Sequence, residues 1–139
     1  MVISIKGTVV QGLRAAKDTL KLQMPYFVKL FPEVKDCHLA SINLELEHGL
    51  RVFNPDFTTP PIPWAGPPGE RFSFLRIAFE GPIGSPHRPA WIYIPHGSPH
   101  YDNVFHAEVI TNWMENIEYG VRCQVHISKP YREAVLIII

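Results

Sequence analysis

The sequence predicts a mainly β protein built as a closed or nearly closed barrel, on three observations. Short segments alternate apolar and polar residues: Ile3, Ile5, Gly7 and Val9 with Ser4, Lys6 and Thr8; Leu75, Ile77 and Phe79 with Arg76 and Glu80; Val121, Cys123, Val125 and Ile127 with Arg122, Gln124 and His126. Successive side chains of a strand point to opposite faces, so each segment has one wet face and one dry face. Only two pieces carry helical signals, and 139 residues suffice for one domain with a real core. Six or more strands with so little helix point to a sheet closed on itself, which removes exposed edges.

After the first strand, Met24, Phe27, Val28 and Phe31 fall at i, i+3, i+4 and i+7. This spacing predicts a helix with Pro25 near its first turn and Pro32 as its stop, plugging or flanking the barrel. Residues 39–46 alternate again, with Ala40, Ile42, Leu44 and Leu46 toward a core and Ser41 and Asn43 side by side on the other face. Residues 54–70 hold Pro60, Pro61, Pro63, Pro67 and Pro68, so neither a helix nor a central strand persists there. That stretch reads as a long loop, either a lid or an insertion. Residues 91–94 and 104–110 are further strands. Asn112 and Glu115 stand at capping-box spacing, predicting a second short helix that ends at Gly120, with Trp113 and Ile117 facing inward. The terminal run from Val135 to Ile139 must pair as a strand in its own domain or be covered by another subunit, and the second outcome would make a homodimer.

Lys plus Arg equal Asp plus Glu at 13 each, so no basic field advertises nucleic acid or an anionic membrane. Cys37 and Cys123 lack the repeated spacing of a zinc ribbon or a disulfide framework, and read as buried free thiols on strands in a reducing compartment. The chain start shows no apolar run with a cleavage site, and no segment reaches membrane-spanning length. The expectation is one cytoplasmic domain over residues 1–139, without nucleic-acid or membrane partners.

Two sets of residues carry chemistry. Ser41 and Asn43 present two neutral oxygen donors two residues apart, which Mg²⁺ accepts when phosphates and water complete its shell, although an ordinary half-exposed strand looks the same. His96, His100 and His106 surround Tyr101 and Asp102, and His106 and Glu108 share a strand face at i, i+2. Imidazoles with a carboxylate suit a hydrolytic zinc site, yet the spacing matches no zinc motif. A single histidine acting as general base is the other reading, with His100 as the choice.

The segments Gly7-Thr8-Val9-Val10-Gln11-Gly12-Leu13, Ala40-Ser41-Ile42-Asn43-Leu44, His100-Tyr101 and Glu108-Val109-Ile110 follow in order, with the Pro25-Tyr26 helix after the first and Gly120 closing the series. In this order, over roughly residues 5–127, the chain resembles the archaeal CTP-dependent riboflavin kinases. The resemblance implies a six-stranded cradle-loop barrel and a Mg²⁺-dependent kinase, a transferase that converts riboflavin to FMN with CTP. It places the metal on Ser41 and Asn43, where the family has Thr and Asn. It places the flavin on His100 and Glu108, where the family has Thr and Glu. It places the nucleotide on Gly12, Leu13, Arg14 and Lys17, and on Glu115 and Asn116. Here the chain departs from the family: Arg14, Ala15, Ala16 and Lys17 stand where glycines cradle phosphate, and the Arg of the family's Leu-Arg-Glu helix is missing. The resemblance also implies that Ser41, Asn43 and Glu108 line one hollow. A barrel that keeps a flavin or nucleotide pocket without catalysis, or an interaction module, is the alternative.

Overall fold

A computed structural model describes residues 2–12, 16–98, 101–115, 117–128 and 135–138, with backbone only for 16–18 and 136–138. Among the described residues, nine strands and one α-helix follow in the order β1 (Ile3–Val10), α1 (Ala16–Leu30), β2 (Ile42–Leu46), β3 (Gly49–Val52), β4 (Phe57–Thr58), β5 (Phe72–Glu80), β6 (Arg88–Pro95), β7 (His106–Ile110), β8 (Arg122–Ile127) and β9 (Val135–Ile138). One edge of β5 pairs with β6 along its length, while the other edge holds β4 at its start and β8 at its end. The β5–β8 pairing closes β5, β6, β7, β2, β1 and β8 into an antiparallel ring. The ring is a closed six-strand barrel, in keeping with the closed or nearly closed barrel of six or more strands that the alternating segments predict.

Its interior is aliphatic. Ile5, Val9, Leu44, Leu75, Ile77, Ile92, Val109, Val125 and Ile127 fill it from all six strands, with Phe79 among them. Burial at about 25 cal/mol per Å² of apolar surface makes this filling the main stabilising term. A second cluster forms outside the ring, where α1 lies across the sheet. Leu20, Met24, Phe27 and Phe31 of the helix segment pack on Phe72, Phe74, Trp91, Tyr93 and Ile110. Phe27 is fully buried, its ring 4.8 Å from Phe72 and 5.0 Å from Phe74 in edge-on contacts. Arg76 of β5 ties down the chain that follows α1, pairing with Glu33 and, at 3.3 Å, with Asp56.

The helix therefore flanks the barrel, but it begins earlier than its apolar spacing predicts and carries Pro25 inside it. An interior proline costs about 3 kcal/mol by removing one backbone bond. Pro25 is exposed, so its ring meets solvent, while burial of Leu20, Met24, Phe27 and Phe31 on the opposite side offsets that cost. A 3₁₀ turn at Pro32–Val34 follows directly.

The second helix is not there: the described residues between Asn112 and Gly120 are non-helical. So short a helix makes few backbone bonds, and the sheet takes those at its end, with Gly120 N–H donating to Val9 O at 2.8 Å and Val9 N–H to Val121 O at 2.9 Å. Trp113, expected inward, is 65% exposed, its ring against His38 and its carbonyl accepting from Arg88. The proline-rich stretch is packed down. Thr59 and Ile62 are buried, Ile62 exchanges backbone bonds with Glu70, and Glu70 accepts from Trp64 Nε1 and Gly97 N–H.

The terminal strand β9 pairs with β3, so the apolar chain end finds a partner within its own chain, and the argument for a second subunit that rested on it falls away. Both cysteines are free and buried, Cys123 on β8 and Cys37 in the coil after the 3₁₀ turn rather than on a strand. Burial pushes their thiols up, to about 12 for Cys37 and about 11 for Cys123, which leaves both as inert thiols. Among the described residues no helix is long and apolar enough to cross a membrane.

Candidate functional site

Register places five side chains in one row across the barrel wall. Val10 of β1 pairs with Asn43 of β2, Asn43 with Glu108 of β7, Glu108 with Tyr93 of β6, and Tyr93 with Phe74 of β5. Paired residues of adjacent strands share a face, and this row is on the face opposite Leu44, Ala107, Ile92 and Leu75 of the interior. Alternation alone marks it as solvated. Instead α1 covers it: Phe27 packs on Tyr93 and Phe74, and the Tyr93 hydroxyl donates to Gln23 of the helix, itself 2% exposed. Asn43 and Glu108 of the same row are both buried.

Ser41 Oγ donates to Glu108 Oε1 at 3.1 Å, across 67 residues of sequence. Burial pushes the Glu108 carboxyl above its usual range, the Ser41 hydroxyl pulls it part of the way back, and the charge of Glu70 adds to the rise. Asn43 Oδ1 lies 3.1 Å from His106 Nε2, and since a carbonyl oxygen only accepts, that nitrogen is the donor. Burial and then the charge of Glu108 push the Tyr93 phenol far up.

Two hollows flank this row. A cleft of about 460 Å³ opens at the rim where β5 begins and β6 ends, lined by Glu108, His106, Tyr93, His96, Tyr101 and Ser73 among others. A smaller hollow of about 230 Å³ lies where β1 ends and β2 begins, with Gly12, Ser41, Asn43, His38, Thr111 and Trp113 in its wall. The expectation that Ser41, Asn43 and Glu108 share one hollow is corrected by this arrangement. The hydroxyl and carboxamide face the smaller space, the carboxylate lines the larger, and the Ser41–Glu108 bond bridges them. The division falls at one cross-strand pair: Asn43 is directly opposite Glu108, and the smaller hollow extends from it toward the start of β2, the larger toward the start of β7.

Gly12 closes on this site. A Cβ there would lie 2.3 Å from Asn43 Nδ2, so the backbone leaving β1 passes over the carboxamide too closely for any side chain. Lys17 falls in the first turn of α1, its side chain outside the described set, and Leu13, Arg14, His100 and Asn116 lie outside the described residues. Glu115 is exposed on non-helical chain and is not part of the smaller hollow's wall.

The histidine zinc site does not assemble among the described residues. His96, His106 and Glu108 do not bring their ligand atoms within 4.8 Å of one another. His106 is turned to Asn43, and His96 Nε2 lies 2.8 Å from Ser73 Oγ, which in turn is 2.9 Å from Thr58 Oγ1. What sequence reasoning missed is the placement of His96 beside Ser73 and Thr58 in the larger cleft, whose wall His106 shares. Burial, then the charge of Arg71, lowers the pKa of His96, with Glu70 opposing, so it stands as a neutral base at physiological pH. Tyr93 and Gln23 were missed as well. Matching parity on neighbouring strands was the available signal for Tyr93, whereas nothing local marks Gln23.

The fold and site define a small antiparallel barrel carrying a half-buried hydroxyl with a buried carboxamide and carboxylate between two hollows. No protein-family model and no curated protein matches the chain.

Proposed function

We propose that the protein is a Mg²⁺-dependent phosphotransferase of the kind the riboflavin-kinase resemblance implies, moving the γ-phosphate of a nucleotide, CTP by inference, to a primary hydroxyl of a flavin-like acceptor. The observation that carries this reading is the Ser41–Glu108 hydrogen bond, which joins the wall of one hollow to the wall of the other. A transferase needs two guests meeting at one point, and a single-ligand pocket does not.

The sizes agree with that division. At about 460 Å³ the larger cleft falls within the range of roughly 300–1,000 Å³ typical of small-molecule sites, while the smaller hollow, at about 230 Å³, suits a phosphate end rather than a whole nucleotide. Hard oxygen donors fit magnesium: the Ser41 hydroxyl and Asn43 carboxamide would hold it, and when bound it neutralises charge on the transferred phosphoryl group. Glu108 orients the acceptor hydroxyl. Its carboxyl, raised by burial, and the His96 imidazole line the same cleft, and either is placed to accept the acceptor's proton.

One observation favours the second reading, a barrel that binds its ligand without catalysis. Asn43 Oδ1 is already engaged by His106 and buried, which lowers its availability to a cation. Thermal-shift measurements with CTP, ATP, riboflavin and FMN, each with and without Mg²⁺, separate the two. Stabilisation by both a nucleotide and a flavin, with FMN formed on turnover, is the expected result, and Asn43→Ala should abolish turnover while the protein stays folded. Stabilisation by a flavin alone, with no product at any Mg²⁺ concentration, rejects the transferase in favour of the binding barrel.

A further inference from the structure

Far from the cleft, three side chains converge that the proposed reaction does not use. Glu80 ends β5, pointing away from the interior that its neighbour Phe79 helps fill, and His126 stands beside it on β8. His87, just before β6, completes the group. Glu80 Oε1 lies 2.8 Å from His126 Nε2 and 3.1 Å from His87 Nε2, and the ligand atoms of all three lie within 4.8 Å of one another. Ser73, at the cleft, and Glu80 are separated by roughly 23 Å of strand at about 3.3 Å per residue.

We propose that Glu80, His87 and His126 form a binding site for a transition-metal dication of the zinc class, completed by water. Two imidazoles and one carboxylate are a ligand set that zinc accepts with a fourth position open. Atoms bound tetrahedrally to zinc at about 2.0–2.2 Å sit roughly 3.3 Å apart, so two of the three separations need to change by only a few tenths of an ångström. The imidazole rings, now stacked at 4.2 Å, must also turn. His87 can do so, because its side chain is 53% exposed on a connecting segment, and that same exposure leaves an entry path for the ion.

The outer contacts are those a metal site uses. Ser4 Oγ on β1 lies 2.6 Å from His126 Nδ1, fixing the ring with Nε2 toward Glu80. Gly84 N–H donates to Glu80 Oε2 at 2.6 Å, holding that oxygen and leaving Oε1 to face the imidazoles. Nitrogen ligands also set this site apart from the all-oxygen pair proposed for magnesium.

Calorimetric titration of the full chain with ZnCl₂, with MgCl₂ as control, tests the assignment, and Co²⁺ substitution reports the coordination by its visible absorption. One Zn²⁺ per chain is expected, with no competition from Mg²⁺. His87→Ala, an exposed change that spares the fold, and His126→Ala should each weaken binding by about 100-fold or more, and Ser4→Ala by about tenfold, as loss of an outer contact does. Circular dichroism checks that each variant is folded. Absence of zinc binding, or a loss under about tenfold in His87→Ala, overturns the proposal, as does binding abolished instead by His96→Ala or His106→Ala.

Discussion

Glu108 and Glu80 are both outward-facing strand residues, each 8% exposed, and their carboxyls are pushed in opposite directions. Glu108 lies in the row whose Tyr93 and Phe74 meet α1, has one hydroxyl donor, and burial raises it. Glu80 meets the Gly84 N–H first and the His126 ring next, and these donors hold it below its usual range. Equal loss of exposure has therefore produced unequal chemistry. Depth of burial and donor count both decide a carboxyl's state: Glu108 lies deeper among protein atoms, and Glu80 has more donors in place of lost water. The contrast also separates two places in the barrel: at one a carboxyl is raised above its usual range, at the other one is held below it.

The largest way to break this contrast is to undock α1. Phe27→Ala should cost about 3–5 kcal/mol by urea unfolding, since a fully buried ring is lost from between helix and sheet. In the folded variant, water reaching the β6–β7 face should bring Glu108 back toward its ordinary range in a ¹³C NMR titration, with Glu80 unmoved. A smaller effect comes from Ser41→Ala, which removes the hydroxyl donor of a buried carboxyl. About 1–3 kcal/mol is expected, with Glu108 pushed still higher, and an unchanged titration would mean that the hydroxyl does not tune it.

The subtlest test is the sign of the pH dependence. Glu108 is raised on folding, so between its unfolded and folded pKa values the native state holds more protons, and stability falls as pH rises. Glu108→Gln should therefore be relatively stabilising at pH 7, an advantage that fades as pH drops through the raised value toward the unfolded one, near 4.3. Glu80 is lowered, so it contributes stability above its unfolded pKa that is lost as pH falls through the folded one. Glu80→Gln should be relatively destabilising at pH 7, with the deficit shrinking in acid. Equal signs for the two variants would refute the comparison.

Much of the barrel was legible in the sequence because alternation is local. Ile3 through Val9, Leu75 through Phe79 and Cys123 through Ile127 announce their dry faces without reference to any partner, and the interior is those faces. The site was only half legible. Ser41, Asn43 and Glu108 were singled out and do meet, yet the two hollows they line depend on which rim each strand end reaches. Two helical readings went astray for one reason. Pro25 and the capping signal at Asn112 are local preferences of a few kcal/mol at most, and tertiary burial and sheet bonding override them.

The amino-acid order by itself determined the strands, the faces they bury and the residues able to do chemistry, since these follow from side-chain period and type. Only the tertiary structure decided that α1 would pack on Phe74 and Tyr93 outside the ring, and that Asn43 and Glu108 in the same row would be buried. It alone also brought His126 against Glu80, 46 residues away. Ring closure through β5 and β8 made that contact, and such a pairing leaves no trace in any local window of the chain.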